Sequence, residues 1–423
     1  MAGLSGRMVV RRLLPLARER MLDDPVVLLE GPRSVGKSTL LRSIATETGA
    51  VLLDLDEPAT RDAVAADPGP FVSGAETVCV DEYQKAPIVL DAIKSELNRC
   101  SRPGRFVLAG STRHDALPAA AQALTGRLTR LRVYPLSQGE ISGVHEDLLE
   151  RLFDDADTAV AAKATSATTR ADYVELAVAG GMPMALSRRP AARARWFDEY
   201  VALTLERDVR ELSRIRQGTL LPQLLHRLAG QTAQVLNIER AARDAGLDRA
   251  TAESYTRLLE AVFLIHRLPA WGKTLNSRST ASPKVHVLDS GVAARLLRLA
   301  PDKLLRRDPT ALTGLGHLLE TFVVGELLKQ VSWTDGLAGV GHWRTHDHDE
   351  VDFVVERDDG AVVAFEVKAA GRVPGGDFKP LRKLRVALGD SFVAGVVLYA
   401  GDRSYNVDDR LYVMPIDRLW ATP

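Results

Sequence analysis

An α/β fold is what this 423-residue chain predicts: a parallel sheet in its first 150 residues, a largely helical middle and a second, smaller α/β unit at the C-terminus. Three observations lead there. Short apolar runs alternate with helix-length segments up to residue 133, the pattern of βαβ units whose sheet is buried on both faces. Residues 173–260 carry helical spacing instead, with Trp196, Tyr200 and Leu203 on one stripe. From residue 316 one strong helix is followed by a strictly alternating pair of segments.

Taken in order, Val26–Glu30 is the first buried strand, and 51–55, 77–80, 105–108 and 131–133 are the later ones, each far enough from the last for a crossover helix. Residues 154–172 turn to Ala, Thr and Asp, as in a linker or a helical edge, and 276–283 form a polar break. The expected units are therefore 1–150, a linker and helical lid over 151–216, a middle unit over 217–300 and a C-terminal unit over 301–423. Lys and Arg number 55, as do Asp and Glu, so no global field draws the chain to nucleic acid or to a membrane. Cys79 and Cys100 make no disulfide framework or paired-ligand spacing, which suits a reducing cytoplasm. The basic start lacks the apolar run of a signal peptide, and no apolar stretch reaches the roughly 18 residues that would span a bilayer.

Gly31-Pro32-Arg33-Ser34-Val35-Gly36-Lys37-Ser38 fits the phosphate-loop pattern and stands between a buried strand and a helix, where that motif must stand. Its glycines let backbone N–H groups point at phosphates, and the helix that opens at Lys37 adds its positive end; Thr39 belongs to the same first turn. Lys37 is expected at the β- and γ-phosphates of ATP and Ser38 at Mg2+. The strand 77–80 delivers Asp81 and Glu82 to its C-terminal end. There Asp81 would hold magnesium through water and Glu82 would orient or deprotonate the attacking water, which implies hydrolysis rather than binding alone. Ser111 and Thr112 end the strand at 105–108, where a γ-phosphate sensor is expected. Arg127 is an arginine-finger candidate, acting either within one chain or across the boundary of a homo-oligomer.

These segments, with Val80-Asp81-Glu82-Tyr83-Gln84-Lys85-Ala86-Pro87, Leu124-Thr125-Gly126-Arg127 and Tyr134-Pro135-Leu136-Ser137, resemble in order a large prokaryotic family of AAA-type P-loop ATPases with a C-terminal domain of unknown function. The resemblance runs on through Gly180-Gly181-Met182-Pro183, Arg207-Asp208-Val209 and 320–368. It implies the AAA-type fold and ATP use without naming a substrate.

Residues 237–259 read as two short helices around Gly246, a helix-turn-helix, and with a strand expected at 261–265 as a winged helix. Arg249, Thr251, Ser254 and Arg257 would be its contacts to DNA or RNA. Further on, 350–355 and 364–368 read as a hairpin closed at Gly360, with Asp352 opposite Glu366 and with Lys368 on the same face. Two carboxylates and a lysine so placed are the parts of a metal-dependent phosphodiesterase, and Glu320 on the preceding helix is a third acid. The arrangement resembles the restriction-endonuclease-like fold, with Val351 where that family has proline. His342, His346 and His348 fall in an expected solvated loop. The function these parts imply is Mg2+-dependent ATP hydrolysis coupled to nucleic-acid binding or processing, helicase- or translocase-like, with a nuclease-fold module. The alternative is a switch that acts on a protein partner, of signal-transducing or toxin–antitoxin type, without nuclease activity.

Overall fold

The computed structural model describes residues 9–116, 124–162, 165–212, 218–272, 282–306 and 309–421. In the first unit the strands β1 (Val26–Glu30), β2 (Val51–Asp54), β3 (Val78–Asp81), β4 (Phe106–Gly110) and β5 (Leu128–Arg132) form one parallel sheet in the order β2-β3-β4-β1-β5. β1 and β4 are buried along their whole length because helices cover both faces, which explains the unbroken apolar runs. The expected strand count and direction hold. The last strand begins three residues earlier than expected, since Leu128 and Arg130 continue the pairing with Val26 and Leu28.

Parallel strands put all their C-terminal ends on one rim, so the turns after β1, β3 and β4 meet there. Arg127 does not: it precedes β5, and its carbonyl accepts from the N–H of Val26 at the start of β1, on the opposite rim. Of the two readings of 154–172, a linker or a helical edge, the structure has the helical one, at Ala156–Ala161 and at the start of Arg170–Ala179. Asp155 caps the first helix, and Thr169 with Asp172 makes a capping box on the second, so the Asp and Thr residues that looked like linker are helix starts. Pro190–Leu203 then runs through a wider turn at Thr204–Asp208.

The middle unit runs helix (Leu221–Ala229), β6 (Gln234–Val235), helix (Ile238–Asp244), helix (Arg249–Ala261), β7 (Ile265–Leu268), β8 (Lys284–Val287), with sheet order β6-β8-β7. The two helices expected around Gly246 and a strand after them are present. Asn237 and Asp248 cap the two helices that flank the Gly246 turn. β7 starts four residues later than expected because the helix continues to Ala261 and Phe263 turns the chain at φ +59°. The polar break expected at 276–283 lies outside the described residues except for Ser282 and Pro283.

In the last unit β9 (Leu337–Arg344), β10 (Glu350–Arg357), β11 (Val362–Lys368), β12 (Phe392–Tyr399), β13 (Tyr405–Asp408) and β14 (Leu411–Pro415) make a mixed sheet in the order β13-β14-β12-β11-β10-β9. The hairpin β10–β11 has the expected register, Phe353 facing Phe365, and Gly360 turns it at φ +85°, a conformation that disfavours a side chain. Both faces are covered, one by the helix Pro309–Trp333 and the other by Lys379–Leu388, so the charged face is buried rather than open. Pro309–Trp333 also corrects the expectation about apolar stretches. Its best 18-residue window has mean hydropathy 1.3, long and apolar enough for a span, and 61% of that window is buried inside the protein, as in a core helix.

Candidate nucleotide site

The loop between β1 and the helix Lys37–Thr48 is shaped by its glycines. A Cβ on Gly31 would sit 2.1 Å from the carbonyl oxygen of Val133, and Gly36 turns into the helix at φ +97°. Ser34, at φ +63°, completes the wrap. Pro32 and Val35 are buried, whereas Ser34 and Thr39 face outward. Arg11 supports the loop from behind, its Nη1 donating to Val35 O at 2.7 Å while its Nε meets Glu140 at 2.9 Å.

Lys37 is 4% exposed, and its Nζ donates to the carbonyl oxygens of Gly31 (2.9 Å) and Pro32 (2.8 Å). Burial lowers its pKa to about 8, against the opposing pull of Glu82 and Asp81. The Ser38 hydroxyl stands beside Asp81 and favours its charged form, but burial first and the neighbouring carboxylate of Glu82 raise the Asp81 pKa overall. The hydroxyl and carboxylate expected at magnesium are therefore already side by side. Glu82 sits at φ +51°, a conformation uncommon outside glycine and asparagine. Its Oε2 accepts from Ser111 Oγ (3.0 Å) and from Gln84 Nε2, which also donates to Ser111 Oγ at 2.9 Å. So Lys37, Ser38, Asp81, Glu82 and Ser111 converge on one rim, with buried Thr112 next to them.

Residues 23–142 match the family described as an AAA domain. They form an AAA-type P-loop ATPase domain. Beyond this ATPase domain, residues 170–303 and 315–419 match two domains of unknown function, DUF8612 and DUF4143. Over the full chain, uncharacterized proteins of Mycobacterium bovis and Mycobacterium tuberculosis are each 28% identical across 427 residues, covering 100% of this chain and 87% of theirs. Among solved structures, the Walker-type ATPase of Pyrococcus abyssi aligns with TM-score 0.42 and 14% identity, over 69% of this chain and 96% of that one. The Holliday junction branch migration motor RuvB of Thermotoga maritima aligns with TM-score 0.28 and 16% identity, over 60% and 87%.

Three partners of the ATPase domain were missed by the sequence reading. Asp208, 3% exposed, takes Arg33 of the phosphate loop in a two-pronged pair, with Nη2 at 2.7 Å and Nε at 2.9 Å, and so ties the loop to the helical segment 175 residues on. Gln84, which bridges Glu82 and Ser111, stands only two residues beyond Glu82, but its orientation depends on β4. Arg113 follows the sensor candidates directly. Its N–H donates to Ala261 O at 2.9 Å, its guanidinium reaches Glu260 at 3.2 Å, and it lies over the Phe263 ring, so the sensor loop grips the end of the helix Arg249–Ala261. Arg127 instead donates to Asn98 on the far rim, which leaves no cis path to the phosphates. Of the expected nucleic-acid contacts, Thr251 is engaged in capping with Asp248 and Arg249 pairs with Glu239 at 2.7 Å, while Ser254 and Arg257 are exposed.

In the C-terminal unit Asp352 and Glu366 are 6% and 7% exposed, and Lys368 Nζ meets Glu366 Oε1 at 2.8 Å. Burial, then the nearby Asp352 carboxylate, push Glu366 up to about 8. The residue that the sequence did not suggest here is Lys284 of β8, which is fully buried. Its Nζ lies 2.8 Å from Asp352, 2.7 Å from Glu320 and 2.5 Å from Glu350. Burial opposes its charge, but these three carboxylates outweigh it and hold its pKa well above that of an ordinary lysine. Among the described residues no group of three or more His, Cys, Asp or Glu side chains is arranged to hold a metal. Asp352 and Glu366 are brought together on paired strands, with the Lys284 ammonium set among Asp352, Glu320 and Glu350. His346 and His348 are exposed as expected, whereas His342 is buried with Nε2 at 3.1 Å from Ser282 O.

Proposed function

We propose that the ATPase domain hydrolyses ATP with Mg2+ and passes its nucleotide state to the middle unit, where the exposed helix face binds DNA or RNA. The observation that carries the hydrolytic part is Ser38 beside Asp81 and Glu82 bonded to Ser111, around a buried Lys37. Lys37 would hold the β- and γ-phosphates, and Ser38 with Asp81 would hold magnesium, which when bound neutralises phosphate charge. Glu82, oriented by Ser111 and Gln84, would accept the proton of the attacking water, and Ser111 and Thr112 would sense the γ-phosphate. Arg127 would serve only a neighbouring copy of the chain. Transmission to the middle unit is supported by the grip of Arg113 on Glu260 and Ala261. In the C-terminal unit we read Asp352, Glu366 and Glu320, with Lys368, as the carboxylates and lysine of a nuclease-like site.

The test is Mg2+-dependent ATP hydrolysis by the wild type, Lys37→Ala and Glu82→Gln, with and without single- and double-stranded DNA at low salt. The expected result is stimulation by DNA that both variants lose. Turnover indifferent to DNA, with no DNA affinity even at low salt, refutes the nucleic-acid part. A second reading, a switch on a protein partner, is favoured by the pairing of Arg249 with Glu239 and of Arg240 with Asp244, which offsets part of the positive charge there. A stable protein partner recovered with the chain, together with absent DNA affinity, would select it.

A further inference from the structure

Lys284 belongs to the three-stranded sheet of the middle unit, yet its ammonium ends inside the acid cluster of the C-terminal unit. The carboxylates it meets come from the helix Pro309–Trp333 (Glu320) and from β10 (Glu350 and Asp352), and their oxygens converge on one point within 2.8 Å. Convergent carboxylate oxygens are what a hard cation requires. Glu366, on the neighbouring strand, keeps one buried oxygen without any partner, although it is 7% exposed. Among the described residues the cluster's other cations are Lys368, on Glu366, and Arg344, 3.6 Å from Glu350. Without Lys284, four carboxylates would face these two cations, a formal excess of two negative charges, which one divalent ion would balance.

We infer that Lys284 is a built-in counter-ion that occupies the cation position of the Asp352 cluster and excludes divalent metal while the three-stranded sheet is docked. The inference rests on reading Asp352, Glu366 and Glu320 as cation-holding acids. It makes the C-terminal site a closed one, whose plug is carried by another unit. β8 pairs with β7, and β7 follows the segment that Arg113 grips beside the nucleotide site, so the plug hangs from the element that the sensor loop holds. Removal of a buried partner cation leaves carboxylates facing one another, which is costly unless another cation enters.

The experiment is Mn2+ uptake by the nucleotide-free full chain, read by electron paramagnetic resonance, together with melting temperatures in EDTA and in Mg2+. Lys284→Ala is expected to gain one Mn2+ per chain that Lys284→Ala/Asp352→Asn loses. It should melt about 5–10 °C below wild type in EDTA and recover at least half of that in Mg2+. Wild type and Lys284→Arg should take up none at this site. If Lys284→Ala folds only when Mg2+ is present, that dependence is the same positive result, and Lys284→Gln carries the test if the alanine variant folds under neither condition. Wild-type uptake that Asp352→Asn abolishes would overturn the plug while leaving the cation-holding reading intact. A folded Lys284→Ala that ignores both metals would overturn both.

Discussion

Replacing Lys37 by methionine should remove nucleotide binding and yet make the nucleotide-free protein more stable. Methionine matches the length of the lysine stem and needs no hydration. Burial brings the lysine from its ordinary 10.5 to about 8, so holding the charge inside the folded protein costs about 3 kcal/mol. Against this stand the two hydrogen bonds to Gly31 O and Pro32 O, whose loss costs roughly 1 kcal/mol each. A net gain of about 1 kcal/mol remains, a rise of about 2–4 °C in melting temperature. The pH dependence distinguishes this from a general packing effect. A lysine whose folded pKa is depressed carries its full penalty below pH 8. Between 8 and 10.5 the folded protein has released the proton and the unfolded chain has not, so wild-type stability rises relative to the variant. The assay is nucleotide-free thermal or urea denaturation of both proteins at pH 7.0 and at pH 9.5, with ATP as the binding control. A variant less stable than wild type at pH 7, or a difference that does not move with pH, would refute the reasoning.

Glu82→Gln should keep ATP affinity within about threefold and slow hydrolysis by about 10²–10⁴, checked by equilibrium nucleotide binding beside single-turnover kinetics. Weakened binding with unchanged turnover would remove Glu82 from the chemistry. Arg33→Ala leaves Asp208 buried without its partner and should cost about 3 kcal/mol in urea denaturation. Adding Asp208→Asn should restore about 1–2 kcal/mol of that, and additive losses would mean the pair does not couple the phosphate loop to the helical segment.

The ATPase domain was legible in the sequence because its determinants are local. A phosphate loop needs glycines at Gly31 and Gly36, where a side chain would collide with Val133 or force a strained backbone, and it needs Lys37 and Ser38 at the first turn of the next helix. Alternation in 350–368 likewise fixed a hairpin, since side chains of period two must bury one face, and Gly360 fixed its turn. Local chemistry also left a choice open and misplaced an end. Asp155 and Thr169 cap helices as readily as they fill linkers, and a helix can outrun its expected end when its last turn packs, as at Ala261.

What the sequence by itself determined, then, was the set of groups that each act through neighbours in the chain: the phosphate loop, the Asp81-Glu82 strand end and the hairpin with Asp352, Glu366 and Lys368. Tertiary structure decided which distant charges complete or close those groups. It set Asp208 on Arg33, Glu260 on Arg113, Arg127 on the wrong rim for a cis role, and Lys284 among Glu320, Glu350 and Asp352. The physical reason is that a buried charge must find an opposite charge somewhere in the fold, and nothing in the chain's local pattern records how far along the sequence that partner lies.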